Sequence, residues 1–221
     1  MNILIFGATG MVGQGVLREC LLDPQVDSVQ TVGRSATGLE HSKLREIVHS
    51  DMWNYGSIEA ALTGFDACFF CLGVSSNGMK REQYERITCG LTLAAADTLA
   101  RLNPQMTFIY VSGAGTDSLE RSKLAWARIK GRTENALLRL PFKAAYMFRP
   151  GFIEPLNGIT SRTPFYRFLY RALRPLVPLL RSLMPNSILT TEQMGRAMLS
   201  VARHGAPKPV LEVADLRLLA P

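Results

Sequence analysis

The chain has 221 residues, 47% of them hydrophobic and 19% charged. That balance excludes a disordered segment and suits one sizeable domain spanning 1–221, since no Pro/Gly/Ser-rich linker divides it. The net charge of +7 is compatible with nucleic acid, a membrane surface or a phosphorylated ligand, but without a Lys/Arg run or an aromatic-interleaved basic motif nucleic acid is not an expected partner.

Residues 2–6 form an apolar run that ends in glycines and reads as a strand. The amphipathic stretch 11–22 reads as a helix, stopped by Asp23-Pro24. Residues 26–32 give a second strand ending at Gly33-Arg34, and Ile47-Val48 mark a third before Asp51. A short helix is expected over 57–62, a continuous apolar strand over 67–72, and a long helix over 81–102 closed by Asn103-Pro104. A fifth strand over 106–111, a helix over 121–140 and a sixth strand over 144–148 follow. A late helix over 191–203 and a final strand over 209–213 complete the pattern. Continuous apolar strands alternating with helices predict an α/β fold, a doubly wound parallel sheet covered on both faces. Such sheets bind ligands beyond the carboxyl ends of their strands, where the strand order reverses.

The N-terminus has no basic n-region, and no window approaches the ~20 apolar residues of a spanning helix. A cytoplasmic location is the expectation. Cys20, Cys68, Cys71 and Cys89 suit that compartment as reduced thiols. Cys68 and Cys71 are three apart on a strand, hence on opposite faces, which suits neither a disulfide nor a metal. His41, His49 and His204 are scattered without ligand spacing, so no metal is expected.

The turn after the first strand, GATGMVG, places Gly7, Gly10 and Gly13 in G-x-x-G-x-x-G spacing between a strand and a helix. Glycines there let the backbone turn tightly and approach a pyrophosphate, which the free N–H groups and dipole of the helix start stabilise. Thr9 adds a hydroxyl, and Met11 and Val12 lie in the same segment. This turn resembles that of the extended and atypical short-chain dehydrogenases/reductases, a superfamily of Rossmann fold. FFCLG, VSGAG, the lysine-bearing helix and FRPG continue the resemblance, which is closest to the Tat-interacting-protein-like reductases and their bacterial relatives and covers roughly residues 1–205.

The resemblance implies roles for several residues. Arg34, in a segment where NAD-preferring forms keep an acid, would pair with the 2′-phosphate of NADPH. Asp51 matches an adenine-contacting aspartate, though it also suits a helix cap. Leu72 and Gly73 would lie against the middle of the cofactor, and Pro150 of FRPG beside the nicotinamide. In the superfamily a serine and a Y-x-x-x-K pair carry the chemistry: the lysine binds the ribose and lowers the tyrosine pKa, and the tyrosine moves the proton. Here Ser112 holds the serine region, with Gly113 where a second serine would stand, and Lys130 matches the lysine. Trp126 occupies the tyrosine position, and its indole N–H has no useful acidity. Tyr84, on the long helix, is then the first candidate for the acid. Thr88 replaces an asparagine that many relatives keep.

Arg162, Arg167, Arg171, Arg174 and Arg181 fall in an apolar stretch free of acids. It reads as part of a small C-terminal lobe, 152–190, that covers the substrate or forms a homodimer surface; contact with a membrane surface through 162–185 is the alternative. The functional expectation is an NADPH-dependent reductase of a small carbonyl or quinone-like substrate. A non-catalytic NADPH sensor that binds a protein partner is the alternative. A sugar-nucleotide epimerase fits less well, because little chain follows the sixth strand and the acid is missing.

Overall fold

The computed structural model describes residues 1–160 and 188–220. The apolar runs form β1 (Asn2–Phe6), β2 (Ser28–Gly33), β3 (Leu44–Val48), β4 (Ala67–Phe70), β5 (Thr107–Val111) and β6 (Ala144–Arg149). Three short strands follow: β7 (Phe152–Glu154), β8 (Ile188–Thr190) and β9 (Val210–Glu212). Among the described residues one sheet has seven strands in the order β3-β2-β1-β4-β5-β6-β9. Every pairing in it is parallel. The order reverses between β1 and β4, which opens a crevice beyond their carboxyl ends. This is the doubly wound, Rossmann-like α/β fold that the alternating pattern predicts.

Side-chain alternation along the central strands feeds a core on each face. Ile3 and Ile5 of β1 pack with Val16, Leu17 and Cys20 of α1 (Met11–Leu22) and with Met194 and Met198 of α5 (Thr191–His204). Leu4 and Phe6 enter the opposite core, with Ala95 and Leu99 of α3 (Leu91–Leu102) and Leu137 of α4 (Ala125–Leu137). Phe6, Phe70, Phe108 and Phe142 stack in sequence there, with ring centroids 5.3, 5.9 and 4.9 Å apart. Phe6, Phe70 and Phe108 are fully buried, and each contributes roughly 1.5–3 kcal/mol. Cys68 lies in this second core while Cys71 packs against the first, as residues three apart on a strand must. Burial in apolar surroundings pushes the Cys71 thiol up to about 12.

The elements differ most from the sequence pattern in four places. The helix expected over 81–102 is α2 (Arg81–Glu85) and α3 joined by a π turn, Arg86–Gly90. The helix expected from 121 starts at Ala125 instead. The Asp117 carboxylate explains that delay, because it accepts from the amides of Leu119 (3.0 Å), Arg121 (2.6 Å) and Ser122 (2.5 Å) and holds them in a turn. The final strand is only three residues long and runs into α6 (Val213–Leu218), which opens with a capping box between Glu212 and Asp215. Finally, β7 and β8 pair in parallel as a separate ribbon, so the two described ends of the expected lobe are tied together. The basic stretch 162–185 lies outside the described residues. No helix among the described residues is long and apolar enough to cross a membrane.

Candidate cofactor cleft

The crevice at the switch point is a cleft of about 570 Å³, within the usual range for small-molecule and cofactor sites. Gly7, Ala8 and Thr9 form its floor after β1, and Gly33, Arg34, Ser35 and Thr37 its wall after β2. Met52 and Trp53 follow β3, and Leu72, Gly73 and Val74 follow β4. Thr88 of the π turn, Tyr110 and Val111 of β5, and Lys130 of α4 close the far end.

Two glycines make the floor. Gly7 has φ +78°, and a Cβ on it would lie 2.7 Å from the Leu72 amide nitrogen. A Cβ on Gly13 would lie 2.1 Å from the Gly7 carbonyl oxygen, so α1 rests directly on the turn. Gly10 caps α1 without a side-chain hydrogen bond, and the first turn carries no acid. The amides of Met11, Val12 and Gly13 are therefore left for an anion.

At the near end Arg34 is exposed in the wall, and among the described residues no carboxylate pairs with it. Asp51 is exposed and not in the wall; its Oδ1 accepts from the Trp53 amide at 3.0 Å, a turn-capping arrangement. Its neighbours Met52 and Trp53 meet the cleft instead. The Trp53 ring lies across Gly90, with the Arg86 guanidinium 5.1 Å from its centroid.

At the far end the Lys130 ammonium donates to the Ser112 backbone carbonyl. Burial pushes its pKa down to about 8, against an opposing pull from Glu134 one helical turn on. The Ser112 hydroxyl points away from the cleft. It is buried and donates to Glu134 Oε1 at 2.5 Å, with the Phe148 carbonyl 3.1 Å away. Glu134 is fully buried and also accepts from Arg149, whose Nε lies 3.0 Å from Oε1. Arg149 reaches Glu212 at 3.0 Å and the Ser118 hydroxyl at 2.5 Å as well. Pro150 is buried behind the wall, and its carbonyl accepts from the Ala114 amide at 2.8 Å.

The residues expected to carry chemistry are not gathered at the wall. Lys130 is there; Ser112 presents its carbonyl to the lysine and its hydroxyl to Glu134. The Trp126 ring rests on Gly115, where a Cβ would lie 3.2 Å from Cη2, and is not in the cleft wall. Tyr84 is buried outside it. The tyrosine in the wall is Tyr110, whose pKa burial drives far up. Gly113 matters for a related reason: a Cβ there would come within 4.0 Å of Lys130 Nζ, so the position facing the lysine lacks a side chain.

A dinucleotide fits this cleft. The uncapped α1 amides suit a pyrophosphate, Arg34 offers an unpaired cation, and the Thr88 hydroxyl is buried without a hydrogen-bond partner at the far end.

Fold and cleft together define a dinucleotide-binding protein of Rossmann-like fold. Residues 7–138 match the family model described as NAD(P)H-binding, and the chain belongs to that family. The mitochondrial protein fmp52 of Emericella nidulans is 30% identical over 159 residues, 69% of this chain and 66% of its own length. Among solved structures, a short-chain dehydrogenase/reductase from Burkholderia thailandensis shares 16% identity with a TM-score of 0.68, covering 98% of this chain and 92% of that one. The Bordetella bronchiseptica enzyme WbmF with NAD+ shares 15% identity with a TM-score of 0.67, covering 98% and 76%. These likenesses show the fold. The expected cytoplasmic location needs correction, because the Emericella relative and others of that name are called mitochondrial. The sequence reasoning rested on the apparent lack of a leader, which says little about location.

Proposed function

We propose that the chain is an NADPH-dependent reductase of a small carbonyl or quinone-like substrate, with Trp126 in place of the usual tyrosine. The observation that carries this reading is one continuous cleft with a free arginine at one end and a partly buried lysine at the other. When bound, the cofactor supplies hydride from its nicotinamide. Arg34, with Ser35 and Thr37 beside it, would hold the 2′-phosphate through its fork of donors. The α1 amides and the Thr9 hydroxyl would hold the pyrophosphate. Lys130 and the Thr88 hydroxyl would hold the nicotinamide ribose, and Leu72 and Val111 would exclude water from its faces.

A second reading is favoured by two features: the Ser112 hydroxyl is engaged with Glu134, and the tyrosine position holds an indole. A site so arranged binds the cofactor without the usual acid, as a sensor that signals to a protein partner would. Consumption of NADPH, followed through the absorbance of the reduced nicotinamide over a panel of small aldehydes, ketones and quinones, separates the two. Substrate-dependent turnover that disappears in Lys130→Met supports the reductase. NADPH binding without turnover on any of the panel leaves the sensor.

A further inference from the structure

The most heavily buried charges among the described residues are not in the cleft wall. They lie behind its lysine end, in an arrangement that the residue spacing in the sequence does not announce. Glu134 has no solvent exposure, and Arg149 is buried beside it. An ion pair this deep is costly to desolvate and adds little net stability over apolar side chains of like volume, so its retention calls for another account.

The geometry supplies one. Ser112 is gripped from both sides, its carbonyl by the Lys130 ammonium and its hydroxyl by the Glu134 carboxylate. Lys130 and Glu134 are one turn apart on α4, so the helix presents both groups to the same serine. Arg149 then ties Glu134 to Glu212 at the edge of β9 and to Ser118 in the loop before α4. Next in the chain, Pro150 accepts from Ala114 in the turn that follows Ser112. Helix, serine turn and β6 turn are thus all fixed to one buried pair.

We infer that Glu134 and Arg149 are positioning residues that fix the Lys130 ammonium and the Ser112 turn at the inner end of the cleft. The groups around the lysine are Glu134 on its own helix, Tyr110 from β5 in the same wall, and Tyr84 and Cys89 close to Tyr110 from α2 and the π turn. Arg149 joins them from β6 through its pairing with Glu134; burial pushes the Lys130 pKa down, and the Glu134 carboxylate opposes that push. Only the consequence for cofactor binding rests on the reading of Lys130 as a ribose ligand. The positioning itself does not.

The test is competitive labelling of the full-length protein with acetic anhydride across pH, with the Lys130 peptide quantified by mass spectrometry. Loss of the Glu134 charge in Glu134→Gln lowers the labelling midpoint of Lys130 by about one pH unit, while Glu134→Asp leaves it near that of the unaltered protein. Should Glu134→Gln not fold, the pair replacement Glu134→Gln with Arg149→Met avoids a stranded arginine and predicts a smaller downward move, because the opposing arginine charge goes with the carboxylate. A midpoint that stays put in the folded variants overturns the inference, since a purely structural pair would alter melting alone. NADPH titration of the same samples keeps the two ideas apart. A shifted midpoint with unchanged NADPH affinity retains the positioning and removes Lys130 from the cofactor site.

Discussion

Replacement of Gly13 by alanine tests whether α1 must rest on the turn that forms the cleft floor. The added Cβ would lie 2.1 Å from the Gly7 carbonyl oxygen and 2.8 Å from Ala8 Cα, where ordinary contact starts at 3.4 Å. Both neighbours are backbone, so no side chain can swing aside and the helix start must retreat by about 1.3 Å along that contact. Overpacking of this kind costs about 1–3 kcal/mol, and its backbone origin sets it at the upper end. Alanine offers up to about 1 kcal/mol in helix propensity, so the clash wins by about 2 kcal/mol. For a chain of this size the melting temperature should fall by about 4–8 °C. The retreat also carries the amides of Met11, Val12 and Gly13 away from a bound phosphate, which should weaken NADPH binding about tenfold or more. Gly10→Ala is the matched control, because its Cβ meets the Gly7 oxygen at 3.3 Å and its φ of −79° suits any residue. It should melt within about 2 °C of the unaltered protein. Differential scanning calorimetry on both variants and cofactor titration on Gly13→Ala decide the matter. Equal melting of Gly13→Ala and Gly10→Ala would refute the packing argument; cofactor affinity is read on Gly13→Ala against the unaltered protein, since Gly10 lies in the same phosphate turn.

Arg34→Ala should weaken NADPH binding about 10–100-fold, the loss of charged hydrogen bonds, and leave NADH binding nearly unchanged; a parallel loss for both cofactors would remove the phosphate role. Thr88→Val removes a buried hydroxyl that has no partner, so it should raise the melting temperature by about 2–4 °C while weakening NADPH binding. A drop in melting temperature would mean that the hydroxyl is satisfied within the fold. Lys130 is held near 8 by burial, so it is charged below that pH and loses its proton as pH rises through it. NADPH affinity should decline across that range and not in Lys130→Met, and a flat profile in the unaltered protein would show that the charge is not used. Trp126→Tyr should raise turnover on any substrate found by about tenfold or more, within the usual reach of a positioned acid. Unchanged turnover would show that position 126 does not limit the chemistry.

What could be read from the chain alone depended on how locally each feature is encoded. The GATGMVG turn is a run of consecutive residues whose glycines serve the same backbone, and α1 follows it with the expected bounds, Met11–Leu22. The central strands were legible because both of their faces are buried, which writes them as uninterrupted apolar runs. The π turn at Arg86–Gly90 carries no periodicity signal, and it is what brings Thr88 into the wall and Gly90 under Trp53. Ser112 was found by its place after β5, but which way its hydroxyl points is decided by Glu134, twenty-two residues on. The Glu134–Arg149 pair joins a helix to a strand fifteen residues away, and only the closed sheet brings them together. A glutamate one turn after the lysine, and an arginine inside an apolar strand, were the available signals.

Fluorescence titration of the purified protein with NADPH and, in parallel, NADH tests the central claim most directly. Trp53 lies in the cleft wall and Trp126 does not, so the signal should come chiefly from Trp53 and fade in Trp53→Phe. Saturable quenching with NADPH at least tenfold tighter than with NADH, about 1.4 kcal/mol, is the expected result. No saturable change with either cofactor would contradict the assignment of the cleft.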